Sequence, residues 1–376
     1  QTASSLIPHF FAILCCFYLP SSDHFAMHAF SRLILGFLTA LAGAQLALWL
    51  HLPLPWLLGP LLLTAVCSAR GWPISGHTLF RNAGQWCIGT SLGLYFTPAM
   101  LGVIAVNIPA IAAAVLFALL LGALGAAAYY RFGGVDFQTA WFASAIGGAS
   151  EMANLAVHYK AHVEQVVSAH SLRVLLVVVI IPFAYQFLGV HGMDDGGTFG
   201  KNPAVHGGGL LALVAWTGLF GWLFKRLGWT NPWVFGPLLA TIILTAQNIH
   251  LSAIPPAVQY LGQLFIGWSL GSKFTPGFFK RAPRFLTTVT LTTLAGLLLT
   301  TAAAWALSRA TQLPYPAVLL GMAPGGIAEM TITAKVLHLS VPLVTVFHVC
   351  RMVCVLLSTG PLYRLLVRRM RTSKPA

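Results

Sequence analysis

Residues 145–152 read Ala-Ile-Gly-Gly-Ala-Ser-Glu-Met, and residues 323–330 read Ala-Pro-Gly-Gly-Ile-Ala-Glu-Met. The two glutamates, Glu151 and Glu329, are 178 positions apart, and each follows a glycine pair inside a long apolar region. A glycine pair loosens a helix, and an ionisable side chain beside such a break in a lipid bilayer is expected to have a functional role. The repeated stretch therefore predicts two equivalent helix breaks that together form a functional site.

The composition indicates a membrane protein. Hydrophobic residues make up 57% of the chain and charged residues 7%, against roughly 25% charged residues in ordinary soluble domains. The mean hydropathy is +0.81, and apolar runs approach the ~20 residues that cross a bilayer. The formal charge of +14 comes from basic residues scattered between apolar runs, which is typical of membrane topology rather than of nucleic-acid binding. We therefore expect an all-α polytopic membrane protein with the lipid bilayer as its partner and no nucleic-acid partner.

The apolar segments form two series of six. We expect residues 1–29 to form an N-terminal extension outside the core fold, with one accessory helix as the alternative; its apolar stretch Leu6–Leu19 makes a poor signal peptide. Residues 30–190 form the first membrane repeat, residues 191–206 a polar connector, residues 207–365 the second repeat, and residues 366–376 a basic tail. The segments cover residues 30–50, 55–69, 76–97, 100–130, 137–159 and 163–190, then 207–224, 232–249, 254–273, 285–308, 315–338 and 341–363.

The two series match motif by motif. Pro-Trp-Leu-Leu-Gly-Pro at residues 55–60 returns as Pro-Trp-Val-Phe-Gly-Pro at residues 232–237. A histidine and an arginine three residues apart, His170 and Arg173, return as His348 and Arg351. Polar marks keep this offset of 177 or 178 over some 120 residues of each half, which chance similarity between apolar segments does not explain. The sequence predicts an internal duplication.

Basic residues indicate how the two halves are oriented, because lysine and arginine concentrate on the cytoplasmic side of membrane proteins. If each fifth segment enters and leaves the bilayer on one side, each half crosses five times and the second half is inverted. Sixteen of the 21 basic residues then face the cytoplasm, three face outward, and two arginines lie in the membrane. We therefore predict two inverted repeats with about ten crossings and two re-entrant or broken segments, and a periplasmic connector.

The two broken segments contain the candidate binding residues. A half-helix that begins after each glycine pair would point its partially positive N-terminus into a cavity, with Glu151 and Glu329 in its first turn. The alternative is that each glutamate only caps its half-helix. The polar and break-forming residues of these segments are Gly147, Gly148, Ser150, Glu151 and Asn154 in the first half, and Pro324, Gly325, Gly326, Glu329, Thr331 and Thr333 in the second.

Four further intramembrane residues are candidates for substrate or ion binding. A charged arginine at mid-bilayer costs about 3 kcal/mol or more, so a partner is expected; the economical pairs are Glu151 with Arg173 and Glu329 with Arg351. His170 and His348 add imidazoles that titrate near neutral pH. An internal ion pair that only joins two helices is the alternative.

Two glycine-rich stretches, residues 84–98 and 262–276, carry Gln85 and Gln263 in apolar surroundings. Small residues at this spacing favour close helix packing, and the glutamines favour a cavity wall; both interpretations stay open. His158 and His162 are spaced for a metal ligand pair, but they lie at a segment end beside Lys160 and have no counterpart in the second half. We expect neither a metal nor a cofactor.

With these motifs, the sequence resembles the AbrB-duplication family of bacterial inner-membrane proteins, whose members carry labels such as ammonia monooxygenase or regulator of aidB expression. The resemblance covers about residues 30–365, and the doubled Gly-Gly-x-x-Glu-Met motif is its most specific part. This family differs from the small, soluble DNA-binding AbrB regulators. The resemblance implies a multi-pass protein of the bacterial inner membrane with an indirect effect on gene expression, and it supplies no substrate.

Inverted repeats with broken segments at mid-membrane are typical of secondary transporters. We therefore expect a proton- or cation-coupled carrier of a small anionic solute, not an enzyme, with proton or sodium as the coupling ion and the oligomeric state open. The alternative is a membrane sensor or regulator that binds a ligand at the same site without transport. A membrane monooxygenase is a remote third interpretation, because the sequence offers no convincing set of copper or iron ligands.

Overall fold

The computed structural model describes residues 29–189, 205–229 and 231–372, and within these ranges all regular structure is α-helical. The N-terminal extension before residue 29 and nearly all of the connector lie outside the described residues. The first eight helices are α1 (Ala29–Trp49), α2 (Pro55–Ala69), α3 (Thr78–Gly93), α4 (Pro98–Val106), α5 (Ile108–Phe132), α6 (Phe137–Ser144), α7 (Ala149–His158) and α8 (Val163–Phe187). The next eight are α9 (Gly207–Arg226), α10 (Pro232–Ala246), α11 (Pro256–Gly271), α12 (Phe278–Arg281), α13 (Pro283–Thr311), α14 (Tyr315–Met322), α15 (Ile327–Val336) and α16 (Val341–Thr372).

Several pairs of corresponding helices in the two halves have equal lengths. The helices α2 and α10 each have 15 residues, and each begins with a proline that follows a left-handed residue, Leu54 (φ 50°) or Asn231 (φ 47°). Proline suits the first turn of a helix because its missing N–H would have no partner there. The half-helices α6 and α14 have eight residues each, and α7 and α15 have ten each. The predicted interruptions are thus present at equivalent places in both halves.

The outer surface of the described part suits a lipid bilayer. Six of its helices are long and apolar enough to cross a membrane: α1, α5, α8, α9, α13 and most of α16; α2 and α10 are shorter apolar helices. On α5, Leu116, Leu120 and Leu124 form a stripe at four-residue spacing with exposed fractions of 67, 57 and 51%. Such a stripe would be unfavourable in water, and lipid chains cover it without cost. The protein is a multi-pass helical membrane protein.

One segment differs from the prediction. Residues 100–130 were expected to form one apolar segment, but the chain forms α4 and α5 with a break at Asn107. Pro109 follows, and proline disfavours a helical conformation in the residue before it and lacks an N–H for the helix ladder. The Asn107 side chain donates to the Val103 carbonyl at 2.8 Å, which satisfies part of the interrupted ladder.

The helices pack in two groups. We call α1–α3 with α9–α11 the scaffold, and α5–α8 with α13–α16 the core, because most helix packing occurs within each set. Each group mixes elements of both halves: α2 and α3 pack on α11 in the scaffold, and α5 and α8 pack on α13 in the core. Each group therefore contains helices from both halves of the sequence, and the main structural boundary lies between the scaffold and the core.

Glycines let the scaffold helices approach closely. A Cβ atom on Gly84 of α3 would lie 2.7 Å from the Gly262 carbonyl oxygen of α11, and one on Gly267 would overlap the Leu57 carbonyl of α2. Small residues at such crossings allow backbone-to-backbone contact between membrane helices. Both glycine-rich stretches therefore serve close packing.

Candidate functional site

Both helix breaks line one cavity of about 140 Å³ between the scaffold and the core. In the first half α6 ends at Ser144 and α7 starts at Ala149; in the second, α14 ends at Met322 and α15 starts at Ile327. Backbone freed at a break cannot face lipid, since its N–H and C=O groups would have no partners there. Here the break residues Gly147 and Gly148, with Pro324, Gly325 and Gly326, lie in the wall of the shared cavity.

Arg173 binds the end of the broken helix, and the predicted pairing with Glu151 is wrong. Its Nη1 atom donates to the Ser144 carbonyl at 3.1 Å, and its Nη2 atom donates to the Ala145 carbonyl at 3.1 Å. The last carbonyls of a helix have no intrahelical partner and carry partial negative charge. A buried cation therefore finds its counter-charge at the C-terminus of α6 instead of at a carboxylate.

The protonation state of His170 follows from its two contacts. Arginine can only donate, so the contact of 2.8 Å between Arg173 Nη2 and His170 Nδ1 makes Nδ1 an acceptor. The His170 Nε2 atom then carries the proton and donates to the Phe142 carbonyl at 3.0 Å. Protonating Nδ1 would place an N–H against the guanidinium. In this arrangement His170 is a neutral positioning residue for Arg173 and not a titrating group.

The second half repeats the arrangement with small changes. Arg351 donates to the Ala323 carbonyl and, at 2.8 Å, to the Gly325 carbonyl. The predicted Glu329–Arg351 pair is therefore also wrong, for the same reason. His348 is fully buried beside Arg351 and faces the Leu320 carbonyl, but its ring nitrogens lack hydrogen-bond geometry to any described residue.

The two glutamates occupy the opposite ends of the breaks. Each is the third residue of its half-helix, and each carboxylate lies against its own backbone N–H. Glu151 and Glu329 are 3% and 7% exposed, and both line the cavity. The N-terminus of a helix favours negative charge, so the capping role considered from the sequence is part of the arrangement. At each break, the arginine compensates the partial negative charge at the C-terminus of the half-helix before the break. The glutamate compensates the partial positive charge at the N-terminus of the half-helix after it.

The scaffold contributes cations and an amide that the sequence analysis did not select. Arg81 in the first turn of α3 and Lys273 after α11 line the cavity; Lys273 interacts electrostatically with both glutamates, and Arg81 with Glu151. Asn231 donates to Glu151 Oε1 at 3.0 Å. Charge inside an apolar segment was a usable signal for Arg81; Lys273 and Asn231 stand at helix ends, where only tertiary structure brings them to the cavity.

Some polar atoms in the cavity wall have no hydrogen-bond partner among the described residues. They are Oε2 of Glu151, Nε of Arg81, Oγ of Ser171, and Nε of Arg173 and Arg351. A buried polar atom without a partner costs roughly 1–3 kcal/mol, and more if it is charged. The wall therefore favours a polar solute or water over an apolar ligand.

The structure brings together most of the predicted site residues and separates the rest. The cavity wall holds Gln85, Gly147, Gly148, Glu151, His170, Arg173, Pro324, Gly325, Gly326, Glu329 and Arg351. Gln263 is buried away from this wall, and Asn154 is exposed. Thr331 and Thr333 donate to the carbonyls of Ile327 and Glu329 within their own helix, and neither lines the cavity. The side chain of Ser150 lies outside the described residues.

The two histidines considered as metal ligands make different local contacts. His162 Nε2 lies 3.8 Å from Asp136 Oδ1, whereas the His158 ring packs edge-on against Tyr159. The described part of the chain contains no group of three or more His, Cys, Asp or Glu residues suited to holding a metal ion.

A family model described as transition state regulatory protein AbrB matches residues 56–367. The chain belongs to the AbrB family. It is similar to the "Uncharacterized protein YhjN" of Bacillus subtilis (strain 168), with 25% identity over 356 residues, 88% of this chain and 90% of the relative. It is also similar to the "Putative regulator AbrB" of Escherichia coli (strain K12), with 27% identity over 314 residues, 83% of this chain and 89% of the relative. No solved structure matches it.

The AbrB-family assignment confirms the resemblance drawn from the doubled glutamate motif. The matched range includes both helix breaks, both arginines and the scaffold residues Arg81, Asn231 and Lys273. The cavity therefore lies wholly within the family-defining part of the chain.

Proposed function

We propose that this AbrB-family protein is a secondary transporter of a small anionic solute in the bacterial inner membrane, coupled to protons or another cation. The observation that carries the proposal is the cavity between scaffold and core, which both helix breaks and both glutamates line. In transporters built from repeats, broken helices meet near mid-membrane and one helix group moves against the other. A binding site at the boundary of two groups suits that movement.

The proposed topology is two inverted repeats with about ten crossings and two broken segments. The equal lengths of several corresponding helices and the distribution of basic residues support it. Cysteine labelling of intact cells tests it: Ser68→Cys and Lys280→Cys are expected to be shielded from an impermeant thiol reagent, and Thr198→Cys in the connector to react. Reaction of Lys280→Cys from outside would overturn the inverted arrangement.

The proposed solute is an anion because neither scaffold cation of the cavity, Arg81 or Lys273, forms a direct ion pair with a carboxylate among the described residues. Arg173 and Arg351 are bound to helix carbonyls, so the positive potential that a solute meets comes from Arg81 and Lys273 and from the two half-helix N-termini. This corrects the expectation that the two intramembrane arginines attract the anion. The cavity has room for on the order of ten water molecules, which limits the solute to about as many non-hydrogen atoms.

Coupling is expected because Lys273 interacts electrostatically with both carboxylates. An anion that binds Lys273 takes away the cation that favours ionised Glu151 and Glu329. In a buried site an unpaired carboxylate is costly and tends to take up a proton. Anion binding and proton uptake are then linked, so that lower pH strengthens anion binding.

The experiment uses purified protein and a panel of small carboxylates, inorganic phosphate and sulfate. Compounds that raise the melting temperature are then tested for uptake into proteoliposomes under an imposed proton or sodium gradient. We expect Lys273→Gln to weaken solute affinity at least tenfold and the matched surface change Lys280→Gln to leave it unchanged. Glu329→Gln should fold normally while the pH dependence of uptake is lost. Equal affinity in Lys273→Gln and the native protein would overturn the anion assignment.

A second candidate function is a membrane sensor, which is favoured by the name of the Escherichia coli relative, "Putative regulator AbrB". A sensor would bind the same anion at the same residues without moving it. Binding that responds to Lys273→Gln and Glu329→Gln, combined with no uptake under any imposed gradient, would replace the transporter proposal with this one.

A further inference from the structure

A second, larger cavity adjoins the cavity at the helix breaks. It has a volume of about 340 Å³ and lies between the N-terminal half of α8, the residues that follow α11, and the region of α12 and the start of α13. Ser171 and Lys273 line both cavities. The two spaces are therefore neighbours that share these two side chains in their walls, and we call this shared part of the wall the neck.

A polar stripe on α8 runs along the larger cavity. Glu164, Ser168 and Ser171 are spaced by four and then three residues, which places them on one face of the helix, and all three line the cavity. Glu164 is exposed at the start of α8, and Ser171 is buried at 6% exposure. The hydroxyl of Ser171 has no hydrogen-bond partner among the described residues. The stripe leads from the surface of the helix to the neck.

The second half lacks this stripe. With the offset of 178 that relates His170 to His348, the equivalents of the three stripe residues are Pro342, Val346 and Val349 on α16. A membrane helix that only packs in protein or faces lipid has no need for polar side chains, because each one is costly there. The three polar substitutions thus mark one side of the molecule for contact with water or a polar solute.

We propose that the larger cavity is the access vestibule of the binding site and an outer site for the anion, with Ser171 and Lys273 selecting for negative charge at the neck. This inference rests on the proposed function for the identity of the solute. The hydroxyl offers a donor and Lys273 an ammonium at the one place where every solute from this side must pass. On the other side of the molecule, the equivalent positions Pro342, Val346 and Val349 are apolar. They keep water and polar solutes out of the corresponding route from that side in this conformation.

Thiol labelling tests the vestibule without requiring transport. Single changes Ser168→Cys, Ser171→Cys, Val346→Cys and Val349→Cys are made in the native chain, and modified peptides are identified by mass spectrometry, so the native cysteines can stay. Membrane vesicles of both orientations are treated with the impermeant reagents MTSES, an anion, and MTSET, a cation. Lys280→Cys marks the side to which α12 is exposed.

We expect Ser168→Cys and Ser171→Cys to react only from the side on which Lys280→Cys reacts, and the two valine-derived cysteines to react from neither side. At Ser171→Cys, the rate ratio of MTSES to MTSET should exceed the ratio at Lys280→Cys at least tenfold. Adding Lys273→Gln should abolish this preference, and adding Lys280→Gln should not. The vestibule is refuted if Ser168→Cys stays unreactive while Lys280→Cys reacts, or if Val349→Cys reacts as fast as Ser171→Cys.

The result separates the two proposals. Labelling as expected, with no solute uptake in liposomes, would keep the vestibule as the ligand entrance of a sensor and remove only the transporter. Uptake without labelling of the stripe would keep the transporter and remove only this route.

Discussion

Replacing Lys335 should open the side of the molecule that is closed in this structure. Lys335 of α15, in the core, donates to Ser91 Oγ at 3.2 Å and to Gln259 Oε1, both in scaffold helices. Its ammonium also lies 5.7 Å from the centre of the Tyr95 ring. These contacts join scaffold and core. With the offset of 178, the contacted residues Gln259, Ser91 and Tyr95 are equivalent to the cavity residues Arg81, Ser269 and Lys273. The lysine therefore clamps the two groups where the second half would otherwise have its own vestibule.

The strength of this clamp can be worked out from its contacts. A hydrogen bond to a charged group contributes about 1.5–3 kcal/mol, and a cation–π contact about 0.5–1 kcal/mol where it is exposed to water. Loss of hydration of the ammonium offsets part of the total, which leaves roughly 2–4 kcal/mol. At 1.4 kcal/mol per factor of ten, Lys335→Met should shift the equilibrium between the two conformations by about 30- to 700-fold. A conformation present at about 1% would then be present at about 20–90%.

The assay measures labelling of Val349→Cys by MTSES, because this position should become reachable only when the clamped side opens. We expect little reaction in the native background, a rate at least tenfold higher with Lys335→Met, and no change with Lys280→Met. Melting temperature and elution volume establish that the variants are folded. If Val349→Cys stays unreactive in folded Lys335→Met, the contacts of Lys335 do not hold the side closed.

Two further predictions concern the cavity itself. Asn231→Leu removes a hydrogen-bond donor from Glu151, so we expect it to lose about 1.5–3 kcal/mol more stability than the control variant Asn248→Leu. Asn248 is exposed and, like Asn231, has a left-handed backbone (φ 58°). Thermal or chemical unfolding in detergent measures both variants, and equal losses would show that the hydrogen bond contributes nothing. Gly326→Ala places a methyl group where the carboxylate three residues later lies. Since the flexible Glu329 side chain can move away, the melting temperature should change little while solute binding falls at least tenfold. The control variant Gly102→Ala, with open space around it, should change neither the melting temperature nor solute binding. Normal solute binding by Gly326→Ala would show that binding does not depend on the position of the Glu329 carboxylate.

Local sequence signals predicted the helix breaks well. The two glycine pairs, with Pro324 in the second half, each lie at a helix interruption, because glycine and proline destabilise a helix through the backbone itself. The helical membrane class followed from composition, because long apolar runs suit a bilayer and a helix satisfies its backbone hydrogen bonds there. The split at Asn107 could also have been read from Pro109, but a long apolar run concealed it. Signals that act through the backbone of neighbouring residues were therefore reliable.

Partner choice was not predictable in the same way. Opposite charges in one apolar region suggested that Glu151 pairs with Arg173, but the helix breaks create charged partners that the residue types do not reveal. The carbonyls at the end of α6 act as an anion towards Arg173, and the start of α7 acts as a cation towards Glu151. Once these ends exist, glutamate and arginine are each satisfied separately. Lys273, the last residue of the segment 254–273, was counted among the basic residues that face the cytoplasm, because its approach to both carboxylates depends on how α11 packs.

Separate compensation within the core has a consequence for coupling. A fixed Glu–Arg pair would move as one body with the core, so its electrostatic energy would not change when the core shifts against the scaffold. Lys273 and Arg81 belong to the scaffold side of the cavity, whereas Glu151 and Glu329 belong to the core. Any shift between the two groups therefore changes the distances from Lys273 to both carboxylates, and with them the cost of leaving a carboxylate ionised. Conformation, proton binding and anion binding all act on the same few distances, which is the physical requirement for coupling one of them to another.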